Sequence, residues 1–222
     1  CDSFMPNYEE ACKGKNMETN QQTNTSIKQP DNIEVGSFSA LTDRKITKDT
    51  AQKYGVKVVH DLQGNVIKHM YPFYNGHEVS ATKTRNVRDK IFFWQGTKAE
   101  TGLFGQQLFK SGKYITITEG ECDAMSAYEL LGSRWAVVSI KSGAAGAVKD
   151  IKESLEFFDD FENVIIAFDN DKAGKEASQK VARLFKPSKA RILSLPNGWK
   201  DPNDMLRNNK HKEFVEAWWA SK

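Results

Sequence analysis

From Tyr114 onward the chain alternates short apolar runs with stretches of helical spacing, and this rhythm constrains the fold more than any other feature. The runs at 114–118, 136–140, 164–168 and 191–195 read as strands, and 164–168 is apolar throughout, the pattern of a strand buried on both faces. Between them, 123–131, roughly 147–158, and 174–185 are predicted helices, the last with Ala177, Val181, Leu184 and Phe185 at helical spacing. Parallel strands need crossover connections, so strand and helix in turn give an α/β layer with a mainly parallel sheet. A last helix is predicted over about 212–219, where Phe214, Val215 and the Trp218-Trp219 pair form an apolar stripe that reads as core.

The preceding half has a different grammar. Thr47 is a plausible N-cap for a short helix reaching Tyr54, and Gly55 is placed to end it. Val56 and Val58, then Val66 and Ile67, flank Gln63-Gly64-Asn65, and Asn75-Gly76 is a strong hairpin signal between 71–74 and 78–84. These features predict a small antiparallel sheet. Residues 16–32 run through Asn, Gln, Thr and Ser with hardly an apolar side chain and read as a flexible tether. The expected organisation is a linker over 1–36, a smaller mixed and basic subdomain over 37–110, a parallel-sheet catalytic domain over 111–210, and a C-terminal helix over 211–222. The fold class is α/β (α+β overall).

No stretch reaches the roughly eighteen consecutive apolar residues that a membrane span requires. The first residues lack a basic and then apolar leader, which makes cytoplasm the expected compartment, and a start at Cys1 reads as a fragment. Cys1, Cys12 and Cys122 are too few and too irregular for a disulfide framework. With no CxxC pair and scattered histidines, no zinc is expected in the chain as it stands. Cys122 reads as a packed small residue. The excess of 32 basic over 29 acidic residues says little about partners, but its distribution says more. Between 83 and 98, Lys83, Arg85, Arg88, Lys90 and Lys98 face one acid, Asp89, which suits a polyanion. Phe92, Phe93 and Trp94 sit within this stretch, readable as stacking platforms for bases or as packing beneath a sheet.

Ligands of open parallel sheets sit outside the carboxyl ends of the strands. There the sequence places Glu119 after the first run, Asp169 and Asp171 after the run at 164, and Asp201 and Asp204 after the run at 191. Two carboxylates about 4 Å apart repel by roughly 4 kcal/mol at an effective dielectric of 20, so a convergent set calls for a cation. Oxygen ligands without paired Cys favour Mg²⁺ or Mn²⁺. Any one of these acids can equally be a helix cap or turn former; the joint placement of Glu119, Asp169 and Asp171 favours ligation. Ser142-Gly143-Ala144-Ala145-Gly146 is a small-residue run able to offer backbone N–H groups to a phosphate.

The runs Thr118-Glu119-Gly120-Glu121-Cys122-Asp123, Phe168-Asp169-Asn170-Asp171-Lys172-Ala173-Gly174 and Lys200-Asp201-Pro202-Asn203-Asp204 together resemble the Toprim domain of topoisomerases, primases and certain nucleases. With Ser39-Ala40-Leu41-Thr42, the basic segment 83–90 and Leu103-Phe104-Gly105 in the same order, the chain is similar to the primase part of bacteriophage primase-helicases, relatives of the mitochondrial replicative helicase. The resemblance covers about 38–204. It implies a DNA primase that joins ribonucleotides on single-stranded DNA in phage replication.

The catalytic residues it implies are Glu119, Asp169 and Asp171. Those three, with Asp123, Asp201 and Asp204, would form the metal site, and Lys83, Arg85, Arg88, Lys90, Lys98 and Lys200 would hold nucleotide and DNA. The implied partners are the single-stranded template, nucleoside triphosphates, a helicase domain or replicative helicase, and a zinc-binding module in the full-length protein, with no membrane. Cys1 reads either as the last ligand of such a module or as an incidental thiol. No GxxxxGK[ST] occurs, so the helicase is not in this chain. A Toprim nuclease or topoisomerase-like domain, and a non-catalytic nucleic-acid-binding module, are the alternatives.

Overall fold

A computed structural model describes residues 36–222 of the 222-residue chain; the predicted tether and Cys1 lie outside the described residues. The first half folds as an antiparallel sheet of β1 (Lys57–His60), β2 (Val66–Asn75), β3 (Glu78–Asn86) and β4 (Phe92–Gly96), paired in chain order. Asn75 pairs with Glu78, which leaves Gly76 and His77 as the two-residue loop between β2 and β3. Gly76 has φ of 59°, the conformation that a tight hairpin asks of its first central residue. Helix α1 (Lys48–Lys53) precedes the sheet and is capped by Thr47, whose Oγ1 accepts from the Thr50 N–H at 3.3 Å. Gly55, at φ 74°, turns the chain out of it.

The second sheet is parallel throughout: β5 (Gly112–Thr118), β6 (Ala136–Ser139), β7 (Phe161–Ala167) and β8 (Ala190–Ile192), in the order β6-β5-β7-β8. Helices α2 (Glu121–Leu130), α3 (Gly143–Glu153) and α4 (Lys172–Ala182) connect the strands. The sheet's buried faces separate by alternation. Ile115, Ile117, Val138, Val164 and Ile166 join the core on the α3–α4 side, whereas Val137, Ile165 and Ala167 join the core that holds α2 and much of the antiparallel sheet. That second core runs from Leu41, Tyr54 and Phe73 to Met125 and Trp218.

Three local differences from the sequence reading have physical causes. Helix α3 begins at Gly143, not near Ala147, because Ala144, Ala145 and Ala147 are good helix formers and the small-residue run becomes its first turn. Residues 155–160 finish as a tight 3₁₀ turn. A short helix, α5 (Pro202–Arg207), follows β8: Asp201 caps it and Pro202 opens it, the expected chemistry of a helix start. The final helix, α6 (His211–Trp219), buries Phe214 and Trp218 and leaves Trp219 half exposed. The Trp218 Nε1–H donates to Thr116 Oγ1 at 3.0 Å, so the indole nitrogen is satisfied in the core.

Candidate active site

The order β6-β5-β7-β8 contains a switch point. The connection leaving β5 runs to one side and that leaving β7 to the other, so a crevice opens above the carboxyl ends of these two neighbours. Glu119 follows β5 and Asp169 follows β7. Glu119 Oε1 accepts from the Ala144 N–H at 3.1 Å, at the first turn of α3, while its Oε2 is buried with no hydrogen-bond partner. Burial, then repulsion by Asp169 and Asp171, pushes the Glu119 carboxyl above its ordinary range despite the Ala144 hydrogen bond.

Asp123 lies in the first turn of α2 and accepts from the Asn203 N–H at 3.2 Å. Desolvation, with Asp201 and Asp169 close by, holds it well above the usual aspartate value. Asp169 is raised by desolvation and by Asp201 and Asp171, against the pull of Lys200 at 2.9 Å. Asp171 is exposed and serves as N-cap of α4, accepting from the Gly174 N–H at 2.8 Å. Asp201 caps α5 through the Asp204 N–H at 2.7 Å. Asp204 turns to its own loop, accepting from the Lys200 N–H at 3.3 Å and from Asn208 Nδ2 at 3.4 Å.

The two glycines after the strands serve the acids themselves. A Cβ at Gly120 would stand 2.6 Å from Asp123 Oδ2, and one at Gly174 would run into the Asp169 backbone. Only glycine lets α2 and α4 start this close to the carboxylates.

A basic and aromatic wall faces the acids. On β3 and β4, Arg85 pairs with Phe92 and Lys83 with Trp94, so these four side chains share one face. Lys83 Nζ reaches Glu121 Oε1 at 2.7 Å, and Lys98 Nζ donates to Ser142 Oγ at 3.1 Å. Between wall and acids lie two hollows, of about 210 Å³ and about 470 Å³, both bordered by Phe92, Gly120, Glu121, Asp123 and Asp169. Lys200 and Asp201 line the smaller; Glu119, Lys83 and Lys98 line the larger. Arg88 and Lys90 line neither and stand exposed at the β3–β4 turn. A further hollow of about 310 Å³, between the β2–β3 loop and residues 102–110, has no carboxylate in its lining.

Four residues of the site escaped the sequence reading. Glu121 is buried and paired with Lys83; its place at the first position of α2 was the available signal. Arg44 reaches Asn203 Oδ1 at 3.2 Å, a contact across 159 positions that no local pattern announces. Lys141, at the end of β6, is buried and donates to the Thr101 carbonyl at 2.8 Å. Asn203 is buried and ties Arg44, Ser126 and Asp123 together. Cys122, packed against the Tyr71 hydroxyl at 3.1 Å, has its thiol pushed up to about 12 by burial and is no nucleophile.

The donors suit a hard divalent cation. They are all oxygen, three are raised by burial and then by their acidic neighbours, and Glu119 Oε2 lacks a partner. Among the described residues no group of three or more His, Cys, Asp or Glu is drawn tightly enough to hold an ion unaided. An open carboxylate set of this kind suits a divalent cation that completes its shell with other oxygens. No helix among the described residues is long and apolar enough to cross a membrane.

Parallel strands ending in Glu119-Gly120 and Asp169-x-Asp171 at a switch point define a Toprim-type acidic site, and a Toprim-like family profile matches residues 116–206. The DNA helicase/primase of Enterobacteria phage T3 is 37% identical over 186 residues, covering 83% of this chain and 32% of that protein. A DNA primase of Listeria monocytogenes is 31% identical over 116 residues, 51% of this chain and 17% of that protein. The chain thus spans about a third of the T3 protein and less of the Listeria one. The primase fragment of the bacteriophage T7 primase-helicase superposes with a TM-score of 0.73 at 34% identity, over 83% of this chain and 75% of that one. The Aquifex aeolicus primase, at 18% identity and a TM-score of 0.62, shares the fold. The chain belongs to the Toprim DNA primase family, with the primases of phage primase-helicases among its relatives.

Proposed function

We propose that this chain is the nucleotidyl-transferring part of a DNA primase, which builds short oligoribonucleotides on single-stranded DNA. The observation that carries the reading is the meeting of Glu119, Asp123, Asp169 and Asp201 with Lys83, Arg85, Lys98 and Lys200 around one pair of hollows. In the reaction a 3′-hydroxyl oxygen bonds to the α-phosphorus of a nucleoside triphosphate, the bond to the β-phosphate oxygen breaks, and pyrophosphate leaves. The hydroxyl proton goes to Glu119, whose unpartnered Oε2 and raised affinity for protons suit a base. Mg²⁺ or Mn²⁺, held by Asp169 and Asp171 with Glu119, Asp123 and Asp201 around them, would lower the hydroxyl pKa and neutralise the triphosphate and the leaving pyrophosphate.

Lys83, Arg85, Lys98 and Lys200 hold the triphosphate and the nearest strand phosphates. Arg88 and Lys90, at the hairpin turn, hold the template backbone farther out. Asp204, which accepts from the Lys200 N–H, orients Lys200 and the turn into α5. The subdomain limits at 110 and 210 remain part of the proposal. So does a helicase partner, in keeping with the T3 relative named for both activities, and so does a zinc-bearing module acting with the full-length protein.

The test is incubation with single-stranded template, ribonucleotides and Mg²⁺, alongside extension of a supplied short primer. Oligoribonucleotide products are expected. Cleaved template would replace this reading with a Toprim nuclease, and strand binding without either product with a non-catalytic module.

A further inference from the structure

On the proposed reading, the wall opposite the carboxylates needs something beyond charge. Phosphates alone are satisfied by lysine and arginine, but β4 adds an aromatic ring that the core does not use. Phe92 is 47% exposed although it borders both hollows. Its neighbour on the same face, Trp94, packs against Phe73 with ring centroids 4.8 Å apart and is anchored in the core. Phe93 points to the opposite face of the strand and borders neither hollow. Of the three consecutive aromatics, Phe92 alone combines an open ring with a place in the cleft.

Cations already flank that ring. Lys83 Nζ lies 4.8 Å from its centroid and the Arg85 guanidinium carbon 5.8 Å. A ring between two phosphate-binding cations is the arrangement by which proteins hold single strands: cations take the backbone, the ring takes the base, and every base has a π face to offer. We infer that Phe92 is a stacking platform for a nucleobase at the mouth of the carboxylate site, either the template base being copied or the base of the incoming nucleotide.

The inference rests on the proposed function for its ligand, and equilibrium binding tests it apart from catalysis. Affinity for a single-stranded oligodeoxynucleotide, for the same strand with an abasic site at each position in turn, and for a ribonucleoside triphosphate would be measured on wild type, Phe92→Ala and Phe92→Trp. Phe92→Ala is expected to weaken one ligand by about 5- to 150-fold, the worth of one stacked base, with Phe92→Trp restoring it and the salt slope of strand binding unchanged.

A template base is identified if the loss falls on the strand and disappears at one abasic position. A nucleotide base is identified if the loss falls on the triphosphate. Unchanged affinity for both ligands, or a loss equal at every abasic position, would overturn the inference. If wild type binds and shows the Phe92 effect yet makes no primer, the catalytic reading fails and the stacking site stands.

Discussion

Lys200 Nζ lies 2.9 Å from Asp169 Oδ2, yet the Asp169 carboxyl still titrates above the ordinary aspartate value of 3.8. Desolvation and the neighbouring Asp201 and Asp171 outweigh the ion pair, whose lysine is 62% exposed and correspondingly screened. Lys200 alone therefore does not offset the burial and the acids around Asp169. That imbalance makes the site responsive to pH, to metal and to single charge changes.

Lys200→Met removes the cation that opposes the rise of Asp169. In the proposed mechanism Glu119 and Asp169 act deprotonated, so activity should be lost as pH falls through their raised values, at a pH above the ordinary 4.5 and 3.8. In the variant the acid limb of the kcat profile should move to higher pH. Coincident acid limbs would mean that Lys200 does not tune the cluster.

Asp123→Asn tests the same crowding through stability. A carboxyl whose folded pKa is raised binds its proton more tightly in the folded state. Its contribution is thus fully present below the unfolded value of 3.8 and is lost as pH rises through the folded one. Without metal, the Asn variant should have a higher Tm than wild type at pH 7, with the difference shrinking toward pH 3. Added Mg²⁺ should raise the wild-type Tm more than the variant's. A lower Tm for the variant at pH 7 would show that the acids are not mutually destabilising.

Glu119→Gln keeps the shape and the acceptor for the Ala144 N–H but removes the charge. Strand and nucleotide binding should survive while kcat falls by at least about 10²-fold, the scale of lost acid–base help. Full turnover in single-nucleotide extension would make Glu119 a structural residue.

The basic residues should split into two groups. Arg88→Ala/Lys90→Ala, at the turn, should lower the slope of log affinity against log salt for single strands by about 1.4, at about 0.7 per phosphate contact, with the nucleotide KM unchanged. Lys83→Ala/Arg85→Ala, in the cleft, should raise the nucleotide KM and alter the slope less. The reverse pattern would exchange their ligands.

The parallel layer and its acids were legible because strand and helix periods, and acids at strand ends, are local signals. Glu119, Asp169 and Asp171 could be singled out from them alone, whereas Asp123, inside α2, was named only through the family resemblance. What stayed hidden depends on distant pairings. Strand β4 is short and aromatic, and its sequence does not distinguish stacking residues from core; its pairing with β3 turns Phe93 to the other face, and packing on Phe73 anchors Trp94, which together set Phe92 apart. Arg44 and Asn203 join the site through contacts between segments far apart in the chain. Helix α5 was locally signalled by Asp201-Pro202, but its acids read first as ligands, and Asp201 proves to be a cap that also lines the smaller hollow.

Tyr54, beside α1, donates its hydroxyl proton to the Val137 carbonyl at 2.9 Å, and Glu129 of α2 holds Thr47 at 2.7 Å. One apolar core continues behind both walls of the cleft. The two walls of the cleft therefore rest on one core and should melt in one transition. On the proposed reading, a growing product would advance along walls tied to one core, so variants that loosen that core, such as Tyr54→Phe, should change the length distribution of the products.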